Sequence, residues 1–453
     1  MFFSFINLGC TKNLVDTQFL LGRILEHRPD QFFYAVDPFS DEVELVFLNT
    51  CGFISSGRQE MFHTMKKLLR KKKKICLLGC AVQYFEKLVK DARLSDAETQ
   101  EWERLKSHPG LTFLSRSELA NFEPSLLEKP LIAGEEQLFD GSDFQWQENA
   151  RAYTNSELGF EYLKIAEWCN NHCSFCIIPT IRGKQRSLSL EAVIAEARNL
   201  IASGVRELIL IAQDSTRYGV DLYGKSQLFE LLEGIDALEG DFHYRVLYLY
   251  PDLLTKKHLE RLTKLKKFIP YFDLPLQHAS PKILKAMGRF YDHQMTLELL
   301  DFIEGHFPER FVRTNFIIGF PGETEEDFQA LMDFIRGDWF ENIALFEYHD
   351  EPLAASSLLP DKVEAKTIRK RFLEAKKLVD ELQAQRSQHA AKEKIWTISE
   401  LRSDAQGNWR LMVRPFLHCP EIDEEDEIQV EQVMQCFDGE ELTLGSRIAY
   451  RLP

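Results

Sequence analysis

Trp168-Cys169-Asn170-Asn171-His172-Cys173-Ser174-Phe175-Cys176 is the stretch on which the reading of this chain turns. It offers three thiols at C-x3-C-x2-C spacing and no fourth. That set suits a [4Fe-4S] cube held at three corners, with one iron left open for a ligand, whereas a closed zinc site wants four ligands. His172 adjoins Cys173, and a neighbour in sequence points away from a shared metal. Zinc and buried free thiols remain the alternatives. The apolar run Tyr162–Ala166 reads as a strand, so Cys169 falls just past a strand end.

The same arrangement occurs three times upstream. Phe2–Leu8 is an apolar run ending at Gly9-Cys10, followed by a helical pattern from Asn13 to Leu25. Val43–Asn49 runs into Thr50-Cys51-Gly52, and Lys74–Gly79 runs into Cys80. Strand then helix, repeated, implies an open parallel α/β sheet, whose strands share one carboxyl edge where ligands bind. Cys10, Cys51 and Cys80 would converge there as a second cluster site, while Cys76, inside its strand, belongs to the core. The basic run Arg70–Lys74 reads as a solvated helix end favoured by the helix dipole. Residues 92–130 are mixed and charged, with a short strand at Leu111–Leu114, and the segment from Gly134 to Gly159 reads as a linker.

From Glu161 the rhythm changes to six strand and helix repeats. The strands are Tyr162–Ala166, Glu207–Ala212, Tyr244–Leu249, Tyr271–Leu276, Arg313–Ile318 and Ala344–Tyr348. Helical patterns fall at Leu190–Ser203, Gln227–Leu238, His258–Leu265, Thr296–His306 and Thr324–Ile335. This implies a parallel, closed or nearly closed barrel with its chemistry at the carboxyl ends of the strands. Gln213 and Asp214 follow the second strand, Gln277 and His278 the fourth, and Gly319-Phe320-Pro321-Gly322-Glu323 the fifth, so together they read as a pocket. Residues 362–393 form a long charged helix. Beyond Ile395 come short β-type runs broken by Gly407, Pro415, Gly439 and Gly445, the pattern of a small antiparallel β-barrel.

Composition sets outer bounds. The 453 residues exceed one ordinary core and suggest about three domains. A formal charge of −16 argues against a surface built to grip nucleic acid and favours a basic protein partner. From Trp396 to Pro453 five Lys and Arg face twelve Asp and Glu, an acidic segment that should avoid RNA phosphates. Nine cysteines, without a signal peptide or an apolar run of membrane-spanning length, point to a cytoplasmic chain whose thiols serve metal, catalysis or packing.

Cys169–Cys176 resembles the radical S-adenosylmethionine (SAM) cluster motif. With Leu8–Asn13, Asn49–Ile54, Leu78–Cys80 and Cys176–Gly183 it is similar to the methylthiotransferases over nearly the whole chain. That resemblance implies an N-terminal methylthiotransferase domain carrying an auxiliary iron-sulfur cluster (1–135), a linker (136–158), a partial (βα)6 radical-SAM barrel (159–390) and a C-terminal TRAM barrel (391–453). Asn49–Ile54, Gln213–Gly219 and the acidic C-terminal segment are similar to the branch that methylthiolates an aspartate of the twelfth protein of the small ribosomal subunit, rather than the branch that modifies a tRNA adenosine. The departures are Trp168, where the family usually has glycine, Thr11, where this branch usually has proline, and a divergent segment beyond Cys419–Asp423.

The resemblance further implies two [4Fe-4S] clusters, on Cys10/Cys51/Cys80 and on Cys169/Cys173/Cys176, and SAM as both radical source and methyl donor. The open iron of the second cluster would chelate SAM, an electron from an external donor such as flavodoxin or ferredoxin would cleave it, and the radical would take a hydrogen from the aspartate β-carbon. Sulfur held at the first cluster would then be inserted. Phe175, Gln213, Asp214, Asn315 and Gly319 are the candidates for the SAM pocket, Gln277 and His278 for facing substrate, and Arg182 for pairing a carboxylate. A scaffold or electron carrier is the non-enzyme alternative.

Overall fold

Two parallel sheets carry the chain, and the alternation of apolar residues along their strands sets which face each side chain takes. The computed structural model describes residues 1–27, 33–90, 97–113, 151–152, 159–291, 293–389, 394–403, 409–423, 425–429 and 447–450. The linker expected over 136–158 lies almost wholly outside them. Two units are distinguished: Met1–Tyr153 with Trp168–Gln185 and His349–Ser357, and the remainder. The first unit is thus assembled from three separate pieces of sequence.

In the first unit, strands β1 (Phe2–Asn7), β2 (Phe33–Tyr34), β3 (Val43–Thr50), β4 (Lys74–Gly79) and β5 (Leu111–Phe113) form one parallel sheet in the order β2-β1-β3-β4-β5. Period-two alternation covers both faces. Leu45, Phe47, Cys76 and Leu78 point to one side with Phe3, where Leu20, Leu21 and Ile24 of helix α1 (Thr11–His27) cover them. Val46, Leu48, Ile75 and Leu77 point to the other, under α2 (Ser55–Arg70), α3 (Cys80–Lys90) and α4 (Ala97–Lys106). The strand order reverses between β1 and β3, so the crevice at their carboxyl ends is the position where ligands of such sheets bind.

Cys76 is fully buried in this core, as its place inside the strand implies. The basic run does structural work: the Lys71 ammonium donates to the Phe39 carbonyl (3.0 Å), and that of Lys73 to the Ser40 and Val43 carbonyls (2.6 Å each). The sequence pattern did not anticipate β2, which is two residues long and too short to show a period.

In the second unit, β6 (Phe160–Lys164), with the small antiparallel pair β7 (Ala166–Glu167) and β8 (Arg186–Ser187) beyond it, opens a six-stranded parallel sheet. It continues through β9 (Glu207–Ile211), β10 (His243–Val246), β11 (Phe268–Gln277), β12 (Phe311–Ile318) and β13 (Asn342–Glu347), each beside the next in chain order. Helices such as Leu190–Ala202, Leu228–Asp236 and Glu325–Arg336 connect them. A parallel sheet in simple sequence order, helix after strand, is the geometry of a partial βα barrel. The helix Ala365–His389 follows, and then β14 (Lys394–Ser403), β15 (Trp409–Pro415), β16 (Asp426–Gln429) and β17 (Arg447–Tyr450) form an antiparallel sheet in the order β16-β15-β14-β17.

Candidate active site

All six cysteines of the two triplets belong to the first unit and are free thiols. Cys10 follows β1 and immediately precedes α1, Cys51 follows β3, and Cys80 is the first residue of α3. Cys10 and Cys80 thus lie where a helix presents unpaired N–H groups and the positive end of its dipole.

A single side chain ties these strand ends together. Both Cys10 Sγ (3.6 Å) and Cys80 Sγ (3.9 Å) donate to Asn13 Oδ1. The Asn13 amide nitrogen donates to Asn49 Oδ1 (2.9 Å) and the Thr50 carbonyl (3.1 Å), and Asn49 returns a bond to the Asn13 carbonyl (2.8 Å). Asn13 and Asn49 are buried, so this amide pair fixes the start of α1 to the carboxyl end of β3. Glycine completes the approach: a Cβ on Gly52 would lie 2.5 Å from the Cys80 carbonyl oxygen, and one on Gly79 (φ +90°) 2.5 Å from that of Thr50.

The electrostatics reflect this proximity. Burial raises the Cys51 thiol, and the neighbouring Cys80 and Cys10 sulfurs push it further, against the Phe53 and Ile54 amides. Cys10 retains exposed surface. The protein around it works to raise its thiol, but Lys12 and Arg182 outweigh that and leave it below the ordinary cysteine value. Arg182 was expected to seek a carboxylate. Instead its Nε donates to Cys80 Sγ at 2.9 Å and its Nη2 to Asn13 Oδ1.

The second triplet lies on a loop. Cys169 is buried, and Cys173 and Cys176 are half-buried. Backbone amides point at two sulfurs, Asn171 N–H to Cys169 (3.4 Å) and Ile178 N–H to Cys176 (3.5 Å). His172 is exposed. Trp168 is buried with φ +63°, the left-handed region that a Cβ disfavours and glycine does not.

The segment His349–Ser357, to which sequence reasoning assigned nothing, braces both triplets. Glu351 pairs with Arg58 (3.1 Å), whose Nη1 holds the Gly52 carbonyl beside Cys51. Ser356 N–H donates to the Ser174 carbonyl between Cys173 and Cys176 (2.8 Å). Arg58 also pairs with Glu98 (2.8 Å) and lies over the Tyr84 ring.

Among the described residues no three Cys, His, Asp or Glu side chains gather tightly enough for a single metal ion. In a cube each thiolate binds its own iron. The donor chemistry suits such a group, with free thiols in sets of three, backbone amides aimed at Cys169 and Cys176, and the Arg182 guanidinium at Cys80.

Of the SAM-pocket candidates, Phe175 is half-buried in the cysteine loop of the first unit. The other four belong to the second unit. Gln213, after β9, keeps a buried Oε1 with no protein partner. Asp214 is turned inward, accepting from Thr216 N–H (3.0 Å) and pairing with Arg217 (3.3 Å). Asn315 donates to Gln277 Oε1 (2.9 Å). Gly319 (φ +83°) donates its N–H to Glu323 Oε2 (2.8 Å), where a Cβ would strike Ile368.

His278 differs from its expected substrate-facing position. It is buried, its Nδ1 accepts from Ser280 N–H (2.9 Å), and its Nε2 faces Glu323 (3.4 Å), which also pairs with Arg371. Tyr248 (φ +61°) and Gln277 (φ +69°), at or just past the carboxyl ends of β10 and β11, hold strained backbones that no residue pattern announced.

These features meet in recognisable relatives. Residues 163–335 match the Radical SAM superfamily, and residues 3–97 match the uncharacterized protein family UPF0004, which makes the chain a radical SAM protein with an additional N-terminal domain. It is 37% identical over 374 residues to the ribosomal protein uS12 methylthiotransferase RimO of Pseudothermotoga lettingae, covering 81% of this chain and 80% of that one. It is 33% identical over 420 residues to the protein of the same description from Synechocystis, covering 92% and 89%. Among solved structures, the radical S-adenosylmethionine methyltransferase TsrM of Kitasatospora setae shares the fold at a TM-score of 0.52 and 12% identity, over 79% of this chain and 77% of that one. The chain belongs to the RimO family of radical SAM methylthiotransferases.

Proposed function

We infer that this chain transfers a methylthio group to the β-carbon of an aspartate in ribosomal protein uS12, free or on the ribosome, using one cluster on Cys10, Cys51 and Cys80 and another on Cys169, Cys173 and Cys176. The observation that carries the two-cluster reading is Asn13 Oδ1, which accepts from both Cys10 and Cys80. Cys10 and Cys80 share this one buried amide, and its nitrogen donates to the Thr50 carbonyl next to Cys51, which supports reading the three strand-end cysteines as a ligand set, since packing alone asks for no such convergence. The acidic C-terminal segment supports a basic protein substrate over tRNA.

When bound, a cluster with an open iron supplies the electron that cleaves SAM and a seat for the sulfur to be transferred. The chain's own residues hold and orient. Backbone amides at Cys169 and Cys176 stabilise thiolate charge. Gln213 offers a buried acceptor and Gly319 allows close backbone approach, which supports Gln213, Asp214, Asn315 and Gly319 of the second unit as SAM-binding residues, and Phe175 of the cysteine loop is a further candidate. The domain limits are 1–135, 159–390 and 391–453, joined by a linker at 136–158, and the C-terminal antiparallel strands are part of a TRAM barrel. An external donor such as flavodoxin or ferredoxin provides electrons in the cytoplasm.

Iron and sulfide analysis tests the cluster count: about eight irons per chain should fall to about four in Cys51→Ala. Incubation with SAM, uS12 and tRNA tests the substrate, with labelled methyl expected on protein. Label on RNA alone overturns the assignment.

A further inference from the structure

Arg182 belongs by sequence to the second cysteine motif, six residues past Cys176 at the end of the helix Ile178–Arg182, yet its bonds go to the first cysteine set. The side chain is buried at 5% exposure. With Nε on Cys80 Sγ and Nη2 on Asn13 Oδ1, the planar fork fixes the sulfur and the amide that also receives Cys10. Lys12, likewise 5% exposed, lies two residues beyond Cys10.

Charge gives this placement a purpose. A dicationic cube with three thiolates carries one net negative charge, and a hydrosulfide on the open iron makes it two. Anionic charge buried without compensation is costly. Lys12 and Arg182 place two buried cations beside this set, of the sign that a more negative, sulfur-loaded state needs.

We propose that Arg182 is a positioning residue for the cluster held by Cys10, Cys51 and Cys80, and that its hydrogen bond to the Cys80 sulfur and its charge prepare the open corner to accept an anionic sulfur ligand of the hydrosulfide class. The inference rests on the assignment of a cluster to those three cysteines. Hydrogen bonds and positive charge near a cluster's sulfurs favour its reduced, more negative state, so Arg182 also raises the cluster's reduction potential.

The test uses the full-length chain with Cys169, Cys173 and Cys176 each replaced by Ala, so that only the first cluster remains. In this background Arg182 is compared with Arg182→Met and Arg182→Lys after reconstitution. The readouts are iron content, midpoint potential from a redox titration followed by electron paramagnetic resonance, and the spectral change on adding sodium hydrosulfide. About four irons are expected in the parent. Arg182→Met should show a lower midpoint potential and hydrosulfide binding weakened about tenfold or more, the scale of one hydrogen bond to a charged group.

Arg182→Lys keeps the charge but not the fork and should fall between the two. Should Arg182→Met fail to hold iron, the Lys variant decides: a shifted potential supports the proposal, and parent values of potential and affinity overturn it. Unchanged potential and affinity in an iron-loaded Met variant likewise reduce Arg182 to a structural buttress. A parent without iron refutes the three-cysteine cluster itself, an outcome distinct from either.

Discussion

Glu207 joins the barrel sheet to the C-terminal sheet, and Glu207→Gln measures how much that junction contributes. Glu207 opens β9 and is buried between two guanidinium groups, Arg245 Nε at 2.7 Å and Arg414 Nη2. Arg245 also donates to the Leu417 (2.7 Å) and Phe416 (3.1 Å) carbonyls, and Arg414 to that of His418 (2.7 Å). Removing the carboxylate that both guanidinium groups hydrogen-bond leaves Asp423 as a weaker counter-charge to Arg245, and breaking a buried pair in this way costs about 3–5 kcal/mol. For a unit of this size that corresponds to a fall in Tm of about 6–20 °C.

The pH dependence has a definite sign. Burial works to raise the Glu207 carboxyl, and Arg245 and Arg414 outweigh it, leaving the group below the ordinary carboxylate range. A depressed folded value means that the stabilisation is fully present above the unfolded carboxylate value of about 4.3 and is lost as pH falls through the folded one. Urea unfolding from pH 7 down to pH about 3 should therefore show a constant gap between wild type and variant near neutrality that narrows in acid. A variant within about 0.5 kcal/mol of wild type at pH 7, the scatter of an ordinary surface change, refutes the reasoning.

Three further outcomes follow from the geometry. Trp168→Gly relieves a left-handed backbone worth about 1–2 kcal/mol but deletes a buried indole worth about 3–5 kcal/mol, so thermal melts should show net destabilisation despite glycine being the family's usual residue. Gly319→Ala adds a Cβ against Ile368 at a positive φ, and a double-mutant cycle with Ile368→Ala should return part of the loss, because shaving the neighbour relieves the clash but not the backbone. Asn13→Ala removes the donor to Asn49 Oδ1 and the acceptor of Arg182 Nη2, at about 1–3 kcal/mol for each buried atom left unsatisfied. It should lower iron content by up to about four per chain while leaving the Cys169–Cys176 site loaded.

Much of the frame was legible because its signals are local. Apolar runs ending in Gly-Cys or Thr-Cys located β1, β3 and β4, and runs such as Glu207–Ala212 and Arg313–Ile318 located the barrel strands to within a few residues. What was missed is long-range. Asn13 and Asn49 stood inside the quoted motifs, but their partnership spans 36 residues and only the sheet order reveals it. Arg58 and Glu351 lie 293 residues apart. His278 looked like a pocket residue because it follows a strand. Its burial against Glu323 is set by the neighbouring β12 loop, which the local pattern around His278 does not contain.

The three-piece construction of the first unit has a consequence for how the protein is made. Translation delivers the five-stranded sheet first, but the piece bearing Arg182 arrives only with Trp168–Gln185, and Glu351 only after almost the whole barrel sheet has been synthesised. Until then the nascent N-terminal domain holds a guanidinium at Arg58 lacking one of its two carboxylates, and a Cys80 sulfur without its donor. The surroundings of the first three cysteines are thereby completed only once residues 349–357 have been made, so a truncated product ending before residue 349 would leave them unfinished.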